Sequence, residues 1–128
     1  KKINLSPSPC WLRINKLYKQ GYIKKKVAVI DRYKINLSTV AFVQIRTSQH
    51  NMTWSKKFIK GVKEMDEVIE FYRLSGTTDY LLKVLVPSID KFDEFYKKLT
   101  DKIDLSDVTT SFAMEEIKQT SNLPLNYI

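Results

Sequence analysis

The order in which two kinds of hydrophobic periodicity follow one another constrains the fold of this chain most strongly. Segments 38–45, 67–74, 79–86 and 108–114 are short and rich in β-branched or aromatic residues, as strands are. Two helical patterns alternate with them, one after the first strand and one after the third. We therefore predict the order β-α-β-β-α-β, that of a ferredoxin-like fold with both helices on one face of an antiparallel sheet.

The two predicted helices are marked by apolar residues three and four positions apart. The first, over about 53–65, carries Trp54, Phe58, Val62 and Met65. The second is opened by Pro87 and Ser88, and its stripe is formed by Ile89, Phe92, Tyr96, Leu99 and Ile103.

The predicted sheet is apolar on both faces, although the helices cover only one. In the third strand Tyr80, Leu82, Val84 and Val86 alternate with Leu81 and Leu85, and in the second Val68, Tyr72 and Leu74 alternate with Ile69 and Phe71. A monomer would carry polar residues on its free sheet face. We therefore predict an obligate homodimer in which a partner subunit covers this face.

Positive charge is concentrated in the first quarter of the chain. The 128 residues carry a formal net charge of +8. Residues 1–34 hold ten lysines and arginines against Asp31 alone, whereas the remainder is close to neutral. This asymmetry favours a polyanionic partner over a merely solvated lysine-rich end.

An amphipathic helix with signals for both of its ends lies within the basic quarter. Ser6-Pro7-Ser8-Pro9 is a helix start, with Ser8 favoured over Ser6 as the cap, and Gly21 ends the helix. One side is apolar and the opposite side is mixed. The apolar side is formed by Cys10, Ile14 and Leu17, with Tyr18 at its edge. The opposite side carries Leu12, Asn15, Lys16 and Lys19.

Residues 22–30 follow this helix as a predicted strand with Lys24 and Lys26 on one side. A helix presenting Asn and Lys, followed by a basic strand, is the outline of a winged helix-turn-helix that binds duplex DNA. An ordinary amphipathic surface helix would show the same spacing, so the alternative stays open at this point.

Other classes of protein are disfavoured by composition. Cys10 is the only cysteine, which excludes an internal disulfide and a cysteine-based zinc site. No apolar run reaches the length of a membrane span, and the start of the sequence does not have the pattern of a signal peptide. We expect a cytoplasmic protein with no metal and no cofactor.

Three motifs resemble the Lrp/AsnC (feast/famine) transcriptional regulators: LSPSPCWLRINKLYKQGYI, SGTTDYLLKVLVP and FAMEEIKQT. The resemblance implies an α+β fold, with part of a winged helix-turn-helix over 1–34 and a ferredoxin-like βαββαβ domain for effector binding and oligomerisation over 35–128. It implies dimers that assemble to tetramers or octamers, and a small effector, commonly an amino acid, bound between dimers. DRYKINL (31–37) is the one plausible linker.

Two features depart from the family pattern. The family's first helix has no counterpart, and KKIN resembles only the tail of the second, so we expect upstream residues to complete the domain. Thr77 stands where relatives often carry an acidic residue. One negative charge fewer leads us to expect a neutral amino acid rather than lysine or arginine as the effector.

The resemblance assigns DNA contacts to the basic quarter. Lys24, Lys25 and Lys26 are expected to contact the backbone as a wing, while Trp11 could stack on DNA or pack into the domain core. The DNA-binding candidates are Ser6, Ser8, Trp11, Leu12, Asn15, Lys16, Lys19, Lys24, Lys25 and Lys26.

The resemblance also assigns the effector to the turn before the third strand. Gly76 permits a positive φ, and the carboxylate of Asp79 could hold an α-ammonium group. A plain hairpin turn, with Thr110 an ordinary strand residue, is the alternative. The effector-binding candidates are Leu74, Ser75, Gly76, Thr77, Thr78, Asp79, Tyr80 and Thr110.

The main hypothesis is a DNA-binding transcriptional regulator that responds to an amino acid, with no catalytic residues. One alternative is a stand-alone amino-acid-sensing module without DNA binding. Another is an enzyme like the siroheme decarboxylases, which resemble this family in fold. Such an enzyme needs arginine and histidine side chains in a pocket. This chain has one histidine, His50, which we place in a surface loop. Its only arginines beyond the basic quarter are Arg46 and Arg73.

Overall fold

The structure is a computed structural model that describes residues 7–102 and 107–128. The chain divides into two compact units, residues 1–31 and residues 32–128. No helix in the described ranges is long and apolar enough to cross a bilayer.

From residue 7 onward, the first unit contains one helix, α1 (Pro7–Lys19). Prolines 7 and 9 stand in its first turn, where backbone N–H groups have no helical partner, so neither removes a hydrogen bond. Ser8 therefore lies inside the helix and the prediction that it caps the helix is wrong, while Ser6 lies outside the described residues.

Gly21 ends α1 as predicted. Its φ of 83° is left-handed, which glycine adopts without steric cost. The N–H of Gly21 donates to the carbonyl of Tyr18 at 3.0 Å, and that of Tyr22 donates to the carbonyl of Leu17 at 2.9 Å. These two bonds form a Schellman motif, which satisfies carbonyls that the end of the helix leaves free.

The strand predicted over residues 22–30 is absent. No segment in the described part of the chain forms ladder hydrogen bonds with it, and a strand requires such a neighbour. Most of its apolar side chains are exposed, with Val29 88% exposed and Val27 69% exposed, while Ile23 is half-buried.

The second unit has the predicted βαββαβ order. Its elements are β1 (Thr39–Arg46), α2 (Met52–Lys63), β2 (Val68–Arg73), β3 (Tyr80–Val86), α3 (Ile89–Lys102) and β4 (Asp107–Phe112). The strands form an antiparallel sheet in the order β2-β3-β1-β4. This is the ferredoxin-like topology.

The core lies between the helices and one face of the sheet. Alternate residues of β1 and β3 are buried there, among them Val43, Ile45 and Leu82, each with no exposed surface. Phe58 of α2 is fully buried against the rings of Trp54, Phe71 and Tyr80.

The stripe predicted on α3 is partly wrong. Phe92 and Leu99 are buried as predicted, but Phe95 is 1% exposed and belongs to the core, whereas Ile89 is 63% exposed. Phe92, Phe95 and Leu99 are themselves three and four positions apart, and at about 100° per residue Leu99 lies between the two phenylalanines on the inner side. The buried stripe of α3 therefore runs through Phe95, rather than through Ile89 and Tyr96 as predicted. Ile103 lies outside the described residues.

A β-bulge changes which residues of β2 share a face. The register moves from Val68↔Val84 to Glu70↔Lys83, so Ile69 is an extra residue without a partner in the ladder. Val68 and Phe71 consequently both pack against the core, although they were predicted to lie on opposite faces.

The sheet face away from the helices is less apolar than predicted. Phe42, Leu81 and Leu85 are half-buried on this face, which we call the open face. Lys83 and Glu70 form an ion pair of 3.7 Å on it. The remaining residues that alternation places there are Val40, Gln44, Arg46, Tyr72, Asp107, Thr109 and Ser111.

Residues 113–128 form neither a helix nor a strand, so β4 ends two residues before its predicted end. Met114, Ile117, Leu125 and Ile128 are all largely exposed. Arg32 lies near this segment, since its guanidinium is 3.6 Å from Glu116 and donates to the carbonyl of Leu37 at 2.8 Å.

Candidate functional site

Asp79 connects the end of β1 to the turn that precedes β3. Its Oδ2 atom accepts a hydrogen bond of 2.8 Å from the backbone N–H of Thr47. Its own N–H donates to the carbonyl of Ile45, and its carbonyl accepts from the N–H of Leu74 at 2.8 Å. Asp79 is thus fixed by side chain and backbone at one end of the two central strands, β1 and β3.

The turn over residues 74–79 is tight and contains one left-handed residue. Gly76 has a φ of 106°, which confirms the predicted need for glycine there. A Cβ atom built on Gly76 would meet no atom within 4 Å. The requirement is therefore conformational, and nothing in the described chain approaches this backbone closely.

A cavity of about 460 Å³ opens beside Asp79. Its walls come from the end of β1 and the loop after it, the first turns of α2, the end of β2, and the start of β3. The lining residues are Thr47, Gln49, His50, Met52, Ser55, Lys56, Ile59, Arg73, Leu74, Asp79 and Tyr80.

The cavity carries charges of both signs. Asp79 supplies the only carboxylate among the lining residues, and Lys56 and Arg73 supply the cations. Neither cation has a carboxylate within 4.0 Å in residues 7–102 and 107–128. The site thus offers an anionic group for an ammonium and cationic groups for a carboxylate.

The rest of the lining is partly apolar, which suits a small amphiphilic molecule. Met52, Ile59, Leu74 and Tyr80 contribute hydrocarbon or aromatic surface.

The N-terminus of α2 is already capped, because Asn51 accepts a 2.8 Å hydrogen bond from the N–H of Trp54.

The structure brings together some of the residues predicted for effector binding and separates others. Leu74, Asp79 and Tyr80 line the cavity. Ser75, Gly76, Thr77 and Thr78 form the adjoining turn but are not part of the lining. Thr110 pairs with Val43 on the core-facing side of β4 and does not line the cavity.

Sequence reasoning missed the wall opposite the turn. His50, predicted as a surface residue in a loop, is exposed but lines the cavity, as do Lys56 and Arg73. His50 and Lys56 are remote in sequence from Asp79, whereas Arg73 directly precedes the turn; none of the three belongs to a recognisable local motif. Only the pairing of Ile45 with Tyr80, which sets the end of β1 beside the start of β3, brings them to one place.

The predicted DNA-contacting residues of the first unit are mostly exposed. Ser8, Trp11, Leu12, Lys16 and Lys19 lie on the exposed part of α1, with Trp11 62% exposed. The three lysines at positions 24–26 are exposed as well.

Two residues of α1 differ from their predicted placement. Asn15 is half-buried, because it lies beside Tyr18 on the half-buried side of the helix rather than opposite it. Leu17 is 40% exposed, so the half-buried side is formed by Cys10, Ile14, Asn15 and Tyr18.

A basic helix with a Schellman end, joined to a ferredoxin-like domain with a charged cavity, defines a class of ligand-responsive DNA-binding regulators. Sequence models agree with this class. The Lrp/AsnC ligand binding domain matches residues 40–123, and a winged helix-turn-helix DNA-binding domain matches residues 1–24. The chain belongs to the Lrp/AsnC family and is a DNA-binding transcriptional regulator of that type.

Individual relatives show the same assignment. The chain is 46% identical over 124 residues to the DNA-binding transcriptional activator DecR of Escherichia coli strain K12, covering 96% of this chain and 82% of DecR. It is 47% identical over 124 residues to the glutamate uptake regulatory protein of Zymomonas mobilis, covering 97% and 76% respectively.

Solved structures give the same fold. An AsnC family transcriptional regulator from Agrobacterium tumefaciens superposes with a TM-score of 0.89 at 49% identity, covering 97% of this chain and 81% of that chain. The transcriptional regulator NMB0573 from Neisseria meningitidis, in complex with L-Met, superposes with a TM-score of 0.85 at 32% identity, covering 95% and 79%.

Proposed function

We propose that this regulator binds a neutral amino acid in the cavity beside Asp79 and that occupancy of the cavity alters its binding to DNA. The observation that carries the proposal is the opposition of charges in the lining, with Asp79 on one wall and Lys56 and Arg73 on others. A zwitterionic amino acid has an ammonium group that suits Asp79 and a carboxylate group that suits Lys56 and Arg73. The relative solved with L-Met supports a neutral ligand.

The polar groups fix the ligand and the apolar lining selects its side chain. The carboxylate of Asp79 binds the α-ammonium, while Lys56 and Arg73 bind the α-carboxylate. Met52, Ile59, Leu74 and Tyr80 then contact the side chain. A cationic side chain meets the two cations of the lining, so lysine and arginine bind more weakly than neutral amino acids.

DNA binding is assigned to α1 and to the lysines that follow it. The exposed Lys16 and Lys19 of α1 and the triplet Lys24, Lys25 and Lys26 supply cations for phosphates. Base reading is assigned to the exposed side of α1, with Asn15 at its border. Ser6 and Ser8 precede or begin the helix, where N–H groups can also meet phosphate.

The open face is proposed as the contact between two subunits. Phe42, Leu81 and Leu85 give it an apolar centre, and the Lys83–Glu70 ion pair keeps its charges matched. Two copies placed face to face would cover this centre, in the manner of a sheet-on-sheet core. Further assembly to tetramers or octamers follows the family resemblance.

We propose that the protein is a regulator rather than an enzyme and that it acts in the cytoplasm. Its relatives are transcriptional regulators. Within the cavity, His50 is exposed and the polar groups are suited to binding a zwitterion rather than to proton transfer between paired acids and bases.

Isothermal titration of the twenty amino acids into the full-length protein tests the ligand. We expect saturable binding of a neutral amino acid and at least tenfold weaker binding in Asp79→Asn. That substitution removes the negative charge but keeps an oxygen for the N–H of Thr47. Asp93→Asn, at an exposed ion pair with Lys97 on α3, is the matched control and should bind as the wild type.

Tight binding of lysine or arginine would overturn the proposed specificity. Equal affinity in the wild type and in Asp79→Asn would remove Asp79 from the site. Full binding in Lys56→Gln combined with Arg73→Gln would remove the proposed carboxylate contact.

A further inference from the structure

The two helices of the second unit differ in how their charges are compensated. On α3, Lys97 lies 3.0 Å from Asp93 and Lys91 lies 3.2 Å from Glu94. Lys98 of the same helix lies 3.2 Å from Glu67. By contrast, α2 contains four lysines and no acidic residue within its bounds.

The lysines of α2 form one exposed surface that makes no ion pair within the described residues, although the C-cap Glu64 lines the same shallow groove as Lys60 and Lys63. They are Lys56, Lys57, Lys60 and Lys63. At 100° per residue they occupy the side of the helix opposite the buried Phe58 and Val62. In the described part of the chain no carboxylate lies within 4.0 Å of any of their ammonium groups.

Structural roles explain only part of this surface. Lys60 and Lys63 lie in the last turn, where cations interact favourably with the helix dipole. Lys57 lies outside that turn, and like charges at i and i+3 or i+4 destabilise a helix. Because Lys91 and Lys97 pair with acidic residues of α3 itself and Lys98 pairs with Glu67, the chain does compensate helix charges elsewhere. The exception on α2 indicates a polyanionic partner.

We propose that Lys57, Lys60 and Lys63 form a second contact surface for duplex DNA, in addition to α1 and the lysines that follow it. Lys57 and Lys63 are about 9 Å apart along the helix axis. Duplex DNA presents about five phosphate charges over that length. The proposal rests on the proposed DNA binding and extends it to the effector-binding domain.

The chemistry of this surface implies contact with phosphates rather than bases. Lysine ammonium groups act as point charges and lack the planar fork that reads guanine. The surface therefore adds affinity for any sequence and does not change which sequence is preferred. Lys56 is left out of this set, since it lines the cavity.

Two triple variants of the full-length protein, equal in charge change, test the proposal. One is Lys57→Gln, Lys60→Gln and Lys63→Gln on α2. The control is Lys91→Gln, Lys97→Gln and Lys98→Gln on α3, where the lysines are paired. Fluorescence anisotropy of a labelled duplex from the region upstream of the gene gives the association constant at several salt concentrations.

We expect the α2 variant to bind more weakly and to show a salt slope reduced by up to about 2.7 log units per tenfold rise in salt, at about 0.9 per phosphate contact. The α3 control should keep the slope of the wild type. Replacing the same α2 lysines by arginine, which keeps the charge, should restore the slope.

Equal slopes for the α2 variant and the wild type would overturn the proposal while leaving DNA binding by α1 intact. A loss of affinity shared by both triple variants would reduce the effect to net charge and also overturn it. A smaller assembly of the α2 variant in sedimentation velocity would assign its lysines to a contact between subunits instead. Absence of DNA binding by the wild type would contradict the proposed function itself.

Discussion

The carboxylate of Asp79 accepts the backbone N–H of Thr47 at 2.8 Å, and the same side chain lines the cavity of about 460 Å³. One group therefore holds the end of β1 to the turn before β3 and supplies the negative charge of the proposed effector site. A substitution at this position affects both roles, and the choice of the replacing residue separates them.

Asp79→Ala is expected to lower the free energy of unfolding by about 1–3 kcal/mol, because the N–H of Thr47 loses its acceptor in a partly buried place. Asp79→Asn should lower the free energy of unfolding clearly less, since the amide oxygen of asparagine can accept the same hydrogen bond as the carboxylate oxygen. Urea denaturation of both variants measures the difference. Equal destabilisation by the two would show that charge, rather than the hydrogen bond, stabilises the turn.

The fold was predictable because the elements of the second unit carry strong local patterns. Apolar and polar residues alternate in β1 and β3, and apolar residues recur three and four positions apart in α2. These two patterns indicate which side chains are buried. The bulge at Ile69 was not predictable, since nothing in VIEFYR marks an extra residue before the strand is paired. Residues 22–30 were mispredicted for a related reason. Their composition suits a strand, but no segment in the described chain lies beside them to form the ladder of hydrogen bonds.

The cavity could be predicted only on one wall. The turn around Gly76 carries a recognisable sequence, and Leu74, Asp79 and Tyr80 were predicted from it. Lys56 and Arg73 come from α2 and the end of β2, and their place depends on the antiparallel pairing of three strands. A sequence read segment by segment does not contain that juxtaposition.

Leu81→Lys is expected to shift the protein from dimer to monomer. Leu81 lies on the open face, paired with Gln44 on one side and with Tyr72 on the other, where a second subunit would bury the added charge. Sedimentation equilibrium at micromolar concentration measures the mass. Ile89→Lys, at a 63% exposed position of α3, is the control and should leave the mass unchanged. A wild type that is monomeric at this concentration would contradict the proposed contact.

Replacing Lys24, Lys25 and Lys26 by glutamine should weaken binding to every DNA sequence alike. Three lost phosphate contacts would reduce the salt slope by about 2.7 log units per tenfold rise in salt. Asn15→Ala should instead reduce the preference for specific over random DNA, with little change in slope. Anisotropy titrations with one specific and one scrambled duplex distinguish the two. A sequence-dependent loss in the lysine variant would refute its assignment to the backbone.

Tyr72 should become charged only above its ordinary pKa of 10.0. Its hydroxyl donates to Glu70 at 2.9 Å, and this hydrogen bond together with the negative charge of Glu70 raises the pKa of the phenol. The folded chain then keeps this proton at a pH where the unfolded chain has lost it. The resulting stabilisation is complete below pH 10 and is lost as the pH rises through the raised pKa.

Urea denaturation at several pH values between 9 and 11 measures this effect of Tyr72. Tyr72→Phe and Glu70→Gln should both show a flatter alkaline decrease of stability than the wild type. Superimposable profiles for all three proteins would show that Glu70 does not perturb the phenol in solution.

The link between amino acid and DNA is tested most directly by the affinity of the full-length protein for its own upstream DNA, measured with and without a saturating neutral amino acid. Coupling between sites is typically about 5–150-fold in affinity, and it must be reciprocal. The account predicts a change of this size in the wild type, an equal change in amino-acid affinity on adding DNA, and a smaller change in Asp79→Asn at an amino-acid concentration just sufficient to saturate the wild type. An unchanged DNA affinity while calorimetry shows the cavity saturated would contradict it.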